Sequence, residues 1–373
     1  MNPQAVFCPN IDCPARGRTG QGNIGVHDTK DERYMCRECK RPFSATKGTI
    51  FYRLHTDPVT VLLVITLLAY GCPTQAIVMA YGFDERTVKK WWRRSGEHCR
   101  VVHEHMIEQR QFDLGQVQAD EIKAKMQGAS VWLAMAIMVS TRLWLGGVVG
   151  ASRNQDLIAA LVAKVRRMAL CRPLLLAVDG LASYVSAFQS AFRSPLPRHG
   201  APGRPRLVAW QGITIVQVVK RRTPQGMDIV RRIVQGHEAL VMRLLKLSQG
   251  GGVINTAYIE RLNATFRQRL AHLTRRARCL ARQTDTLTAG MYVVGCFYNF
   301  CDYHESLRLP LWITERRRHW VQRTPAMAAC ITDHRWTPHE LFWFKVPPAP
   351  WTPPKRRGRP SKQLLQLAER WFS

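Results

Sequence analysis

At 373 residues the chain has room for two or three domains, and 46% hydrophobic residues suffice for packed cores, which excludes a disordered protein. Lys and Arg number 55 against 26 acids, a formal charge of +29. A charge of that size points to a nucleic-acid partner, because neutralising phosphates releases counterions. The basic residues are spread over several segments, and the longest apolar runs, Val59 to Tyr70 and Val131 to Val139, fall short of the ~20 residues that span a bilayer. No membrane is expected. MNPQAVFC has no signal-peptide pattern, so a cytoplasmic protein is expected, its eleven cysteines reduced thiols or metal ligands.

In residues 1–50, Cys8 and Cys13 lie in CPNIDC and Cys36 and Cys39 in CREC, with 22 residues between the pairs. Two such knuckles can close a tetrahedral four-thiolate site for a structural Zn2+, and a zinc ribbon of short strands is expected. Reduced thiols in a poorly ordered arm are the alternative.

Residues 51–108 predict an all-α helix-turn-helix. An apolar helix over Val59 to Ala69 ends at Gly71, Thr74 caps a short helix through Ala80, Gly82 makes the turn, and Asp84 caps a second helix, DERTVKKWWRRSGEH. There Val88 and Trp91 face the core while Arg86, Lys89, Lys90 and Arg93 point outward, the layout of a recognition helix. Such helix pairs also occur without binding DNA.

From residue 112 the pattern turns α/β. Strands are expected over Gln116 to Ile122, Val131 to Ser140 and Leu143 to Val149, then a helix from Asn154 through Arg167, then a strand LLLAVD ending at Asp179. Three strands, a helix and a fourth strand, with acids on the first and fourth, is the order of a ribonuclease H-like sheet. Strand alternation turns Glu121 away from Asp120, so only one of the two is expected to face the site. LVAWQGITIVQVVKRR supplies a fifth strand, within or beside an insertion at about 193–249. A helix over 236–249 and three glycines, Gly250 to Gly252, lead to VINTAYIERLNATFRQRLAHLTRR.

That last stretch reads as an amphipathic helix. Ile259, Leu262, Phe266, Leu270 and Leu273 recur at steps of three and four, with Glu260 at the border of the stripe. From Arg261 to Arg282 there are seven arginines and no acid. One carboxylate in such a field suits a metal ligand beside a polyanion; a surface pair with Arg261 or Arg267 is the plainer reading. Cys296, Cys301 and His304 fall in an aromatic segment and read as core packing. A helical extension is expected over 311–346, then a basic Pro-rich tail, 347–373, where Arg357 and Arg359 in RRGRP form an AT-hook-like motif suited to a narrow minor groove.

Asp120 in VQADEI, Asp179 in LLLAVDG and Glu260 in INTAYIERLNATFRQRL together resemble the acidic triad of DDE transposases from bacterial insertion sequences, most of all the insertion-sequence-one type. The likeness extends to the cysteine pairs, the helix pair, and the segments YNFCDYHESLR and RTPAMAACITDHRW, about residues 5 to 340. It implies a multidomain protein whose ribonuclease H-like core spans 112–310 around a mixed five-stranded sheet. It implies Mg2+ (or Mn2+) held by Asp120, Asp179 and Glu260, two ions roughly 4 Å apart, activating water and then a DNA 3′-hydroxyl. The implied partners are double-stranded DNA, as the element's terminal inverted repeats and as target, and further copies of the chain in a homo-oligomer. Arg261 and Arg267 would hold phosphates, and the location would be the bacterial cytoplasm at the nucleoid. The rival readings are a DNA-binding regulator, including an inactive transposase derivative, and an RNA-processing nuclease on the same sheet.

Overall fold

In a computed structural model of the chain, the structure describes residues 1–126, 128–196, 204–224, 226–273, 283–314 and 317–353, with three isolated positions beyond. The chain divides into two compact units, residues 1–48 with 347–373, and residues 49–346.

The smaller unit carries β1 (Ile24–Asp28), β2 (Arg33–Cys36) and β3 (Pro42–Ser44) as an antiparallel sheet in that order. Its core is small: Cys8, Cys13, Ile24, Tyr34, Cys36 and Phe43, with Tyr34 and Phe43 stacked at 5.8 Å. Residues 349 and 350 join it through Arg16, whose guanidinium donates to the carbonyls of Ala349 (2.7 Å) and Pro350 (3.0 Å).

The larger unit begins with α1 (Pro58–Ala69), α2 (Thr74–Tyr81) and α3 (Glu85–His103). Asp57 caps α1, and Asp84 caps α3 by accepting from the Arg86 N–H at 2.8 Å. Thr74, expected as a cap, is instead the first residue of α2 behind Pro73 and makes no side-chain cap bond. Gly82 links α2 to α3 at φ 70°, a conformation that glycine adopts without strain. Beyond the expected end of α3 at His98, Cys99, Val102 and His103 are buried. Packing therefore carries the helix to His103.

Then come β4 (Gln116–Met126), β5 (Ala129–Met138), β6 (Leu143–Gly150), α4 (Gln155–Met168), β7 (Leu174–Val178), α5 (Ala182–Ala191), β8 (Arg193–Pro195), β9 (Leu207–Ala209), β10 (Ile213–Thr223), β11 (Gly226–Gln235), α6 (Glu238–Gln249), α7 (Ala257–Arg269) and α8 (Thr284–Cys296). The main sheet has the order β11-β10-β7-β4-β5-β6. It is mixed: β4, β7 and β10 run parallel, and β5, β6 and β11 are antiparallel to their neighbours. Its six strands correct the five expected, because the chain turns back after Thr223 and β11 pairs along β10. On that edge strand apolar and charged residues do not alternate, and every residue from 226 to 234 is exposed, so no one-faced pattern marks it.

Both faces of the sheet are covered. Leu174, Leu176 and Val178 of β7 join the main core with α4 and α5, while Leu175 and Ala177 pack with Val216 against Val241, Leu244 and Leu245 of α6. α3 and α8 pack closely where Gly96 meets Ala289, with no space for a Cβ at Gly96. Residues 311–346, expected as helical, open as a hairpin of β12 (Leu309–Thr314) and β13 (Arg317–Val321), and only then form α9 (Pro325–Ala328) and α10 (Pro338–Trp343). Arg308 and Arg318 lie over the Trp320 ring at 4.2 and 4.3 Å, a cation–aromatic stack that holds the ribbon together. No helix among the described residues is long and apolar enough to cross a membrane.

Candidate functional site

Two groups of side chains among the described residues could hold metal ions. The first is Cys8, Cys13, Cys36 and Cys39, whose Sγ atoms all lie within 4.8 Å of one another. Cys8 and Cys39 are 3.7 Å apart and Cys13 and Cys36 3.8 Å. A tetrahedron with metal–sulfur bonds of about 2.3 Å has sulfur–sulfur edges of about 3.8 Å, so the spacing fits one four-coordinate ion. Burial pushes the Cys8 and Cys13 thiols up, whereas Cys39, against its burial, is brought down to about 7 by the Arg41 N–H and the Asn10 side chain. Four thiols packed this closely gain most from a cation that takes their protons' place. The cluster is compatible with a zinc ribbon.

The second group is Asp120, Glu121 and Asp179, whose carboxylate oxygens also fall within 4.8 Å of one another. Asp120 and Glu121 belong to β4, and Asp179 follows the last residue of β7. β4 pairs with β7 only from Gln116 to Gln118, after which no strand among the described residues pairs on that side of β4. Here the expectation from alternation fails. At residues 120 and 121 the neighbouring strand has ended, so side chains from both faces of β4 reach around to Asp179.

Each acid is held by a fixed group. Asp120 Oδ2 accepts from the Asn263 amide at 2.8 Å. Glu121 accepts from the hydroxyl of fully buried Tyr184 at 2.8 Å and from Arg153. Asp179 accepts from the Leu181 N–H at 3.0 Å and from Arg153 Nη2 at 2.8 Å. Burial, then the charge of Glu121, with Asp179 and Glu260 behind it, pushes Asp120 up to about 7. Burial also raises Glu121. Three mutually repelling hard-oxygen donors fit a hard divalent cation.

Glu260 is close enough to raise Asp120 but is not one of the clustered acids. It lies in the first turn of α7, where its Oε1 accepts from Lys220 Nζ of β10 and from the Thr256 hydroxyl, both at 2.6 Å. Burial would raise its pKa, but the Lys220 and Thr256 bonds outweigh burial and lower it. The pairing expected with Arg261 or Arg267 is made with Lys220 instead. The five residues of the expected apolar stripe are each at most 5% exposed, but α7 itself ends at Arg269: Ile259, Leu262 and Phe266 lie on it, Leu270 follows in extended backbone and Leu273 in a short 3-10 turn. Asn263, one turn beyond Glu260, is the α7 side chain that touches the acidic group.

What fixes α7 against β4 is Gln118, two residues before Asp120. Its buried side chain accepts from the Tyr258 and Ile259 N–H groups at 3.0 and 3.1 Å and donates to the Asn255 carbonyl at 2.8 Å, satisfying helix-end donors. Sequence patterning does not point to Gln118, Arg153 or Lys220, and strand alternation turns Glu121 away from the site, whereas Asn263 shares the face of Glu260 at helical spacing. VQADEI and IERLN carried the nearest signal; Arg153 and Lys220 had none beyond their charge.

Arg86, Lys89, Lys90 and Arg93 are exposed on the first half of α3, with Lys89 paired to Glu85 at 2.6 Å. Arg261 is exposed and Arg267 half-buried on α7. Arg357 and Arg359 lie outside the described residues, as do the last four of the seven arginines between 261 and 282. Cys296 and Cys301 are buried, the Cys296 thiol lying 3.3 Å from the Cys99 carbonyl, and with His304 they form no metal-holding group among the described residues. No family model matches the chain, and no curated protein matches it in sequence.

Proposed function

We propose that the chain is a DNA transposase of the DDE type, which cleaves phosphodiesters and transfers strands at the ends of a mobile element. The observation that carries this reading is the convergence of Asp120 and Glu121, midway along β4, with Asp179 at the end of the parallel strand β7, beside a helix that brings Asn263 and Glu260. A regulator has no need to oppose three carboxylates in this way. The strand order, with three antiparallel strands flanked by two parallel ones, supports a ribonuclease H-like core.

In this reading Asp120 and Asp179 hold divalent ions, Mg2+ or Mn2+, with Glu121 beside them, and Zn2+ occupies the four cysteines. The bound ions would polarise the phosphate and lower the pKa of the attacking hydroxyl or water. The protein's part is positional: Asn263 and Tyr184 orient carboxylate oxygens, and Gln118 sets α7 over them. Glu260 joins the site by exchanging Lys220 for the cation. Gly250, Gly251 and Gly252, all at positive φ (82°, 115° and 90°), lead into α7 and give it a backbone able to adjust. Arg86, Lys89, Lys90 and Arg93 of α3 would read or grip duplex DNA, Arg261 and Arg267 would hold phosphates near the site, and the tail with Arg357 and Arg359 would follow the minor groove. The protein would work as a homo-oligomer in the bacterial cytoplasm.

The test is cation-dependent nicking of a plasmid carrying the inverted repeats that flank the chain's own coding sequence. Asp120→Asn, Asp179→Asn and Glu260→Gln should each lower cleavage by about 10³-fold or more while leaving binding to the same DNA within about twofold. Cleavage retained in Asp179→Asn would remove the acidic cluster from the mechanism. The pairing of Glu260 with Lys220 favours one second reading, an inactive derivative that binds DNA without cutting it. In that case wild type binds the repeats and nicks nothing.

A further inference from the structure

We propose that Arg153 is an internal counter-ion that occupies the acidic site while no divalent cation is bound, and that passes to a phosphate of the DNA strand when the cation enters. The proposal rests on reading Asp120, Glu121 and Asp179 as a divalent-cation site.

The argument begins with the oxygens. Asp179 offers Oδ1 to the backbone N–H of Leu181 and Oδ2 to Arg153. Glu121 offers Oε2 to the Tyr184 hydroxyl and Oε1 to Arg153. In both acids one oxygen is pinned by a group that cannot leave, since Leu181 opens α5 and Tyr184 is fully buried. The other oxygen of each is turned toward a single guanidinium. A cation at its usual ~2.1–2.4 Å from these two oxygens would overlap the guanidinium nitrogens. Arg153 and a cation therefore exclude each other.

Arg153 is built to leave without disturbing the fold. Its backbone is in an exposed segment directly before Asn154, whose side chain caps α4 by accepting from the Leu157 N–H at 3.1 Å. The anchor is thus the next residue, and the long side chain can swing from it. The guanidinium also lies 5.5 Å from the Trp132 ring centroid, with Lys123 Nζ 5.8 Å from the same ring. That aromatic face can carry the cation beside the site once the carboxylates are taken. A guanidinium freed there meets a phosphate with its two-pronged donor geometry. Cation loading and strand binding would then favour one another.

The test titrates Mn2+ into the full-length zinc-loaded chain by calorimetry, for wild type, Arg153→Gln, Asp179→Asn and the double variant. Removing a competitor for the same oxygens should tighten Mn2+ binding in Arg153→Gln by about tenfold, and the gain should vanish in the double variant. In wild type, Ca2+ should raise affinity for duplex DNA, and Arg153→Gln should lose that increment. Unchanged or weaker Mn2+ binding in a folded Arg153→Gln chain overturns the proposal and leaves Arg153 a structural ion pair. If Arg153→Gln does not fold, Arg153→Lys keeps the charge and loses the fork. A tightening of about threefold is then expected, and no change overturns the proposal. If Asp179→Asn binds Mn2+ as wild type does, the cation-site reading itself falls, and the proposal with it. If Asp179→Asn loses Mn2+ but Arg153→Gln gains nothing, only the role of Arg153 falls.

Discussion

At the scale of single residues, Asp120 is pushed up to about 7 by burial first and by the charge of Glu121 next. The consequence for stability has a definite sign. Folded Asp120 binds its proton more tightly than the unfolded chain does, whose value is 3.8. Between those two values the folded state carries the extra proton, so the cation-free protein loses stability as pH rises toward 7. A divalent cation needs the charged form. Its affinity should therefore rise about tenfold between pH 6 and pH 8 and then level off, measured by Mn2+ titration; a flat profile would show that Asp120 is not a ligand. Asp179 is legible in sequence because it closes the apolar run LLLAV, and Asp120 because it stands in a strand candidate at the matching place in the order of elements. Glu121 is not, because alternation describes a strand with neighbours on both sides, and β4 has lost one at that point.

At the scale of elements, the local pattern predicts well where one face is buried and poorly where packing decides. β4 through β7 and α4 are legible because apolar runs, turn residues and the cap Asn154 agree. The last turn of α3, residues 99–103, runs past the expected end at His98, and the core face of its far half draws on Ser95, Gly96 and Cys99, small residues that carry little hydrophobic signal. Those small residues are what let α3 approach α8. Gly96→Ala should destabilise the larger unit by about 1–3 kcal/mol, since the added methyl meets the backbone and side chain of Ala289, read as a lower urea midpoint. An unchanged midpoint would mean that the two helices can separate at little cost. α7 behaves differently, because its placement rests on Gln118 as well as on its stripe. Gln118→Ala leaves two helix-end N–H groups without their acceptor, and should cost about 1–3 kcal/mol and reduce cleavage by disturbing Glu260 and Asn263.

For the whole molecule, the chain joins a small cysteine-centred unit to a larger one with its own extensive core. The small unit buries so few apolar side chains that a bound ion should supply much of its stability. Cys36→Ser should take bound zinc from about one ion per chain to none and make residues 1–48 sensitive to protease, leaving the larger unit's unfolding transition in place. Intact folding of those residues without metal would refute a structural ion. The +29 charge was plain in the sequence, but the way the site balances its own charge was not. Arg153 and Lys220 are distant in sequence from the acids they pair with, and only the sheet brings them together.

The central claim is that Asp120, Glu121 and Asp179 form a divalent-cation site whose present counter-ions are displaced on loading. A crystal of the full-length protein soaked in Mn2+ and measured at the manganese absorption edge tests it most directly. The account predicts an anomalous peak about 2.1–2.4 Å from oxygens of Asp120 and Asp179, with Arg153 withdrawn from both Glu121 and Asp179. Absence of that peak, with Arg153 still bridging the two carboxylates, would contradict it.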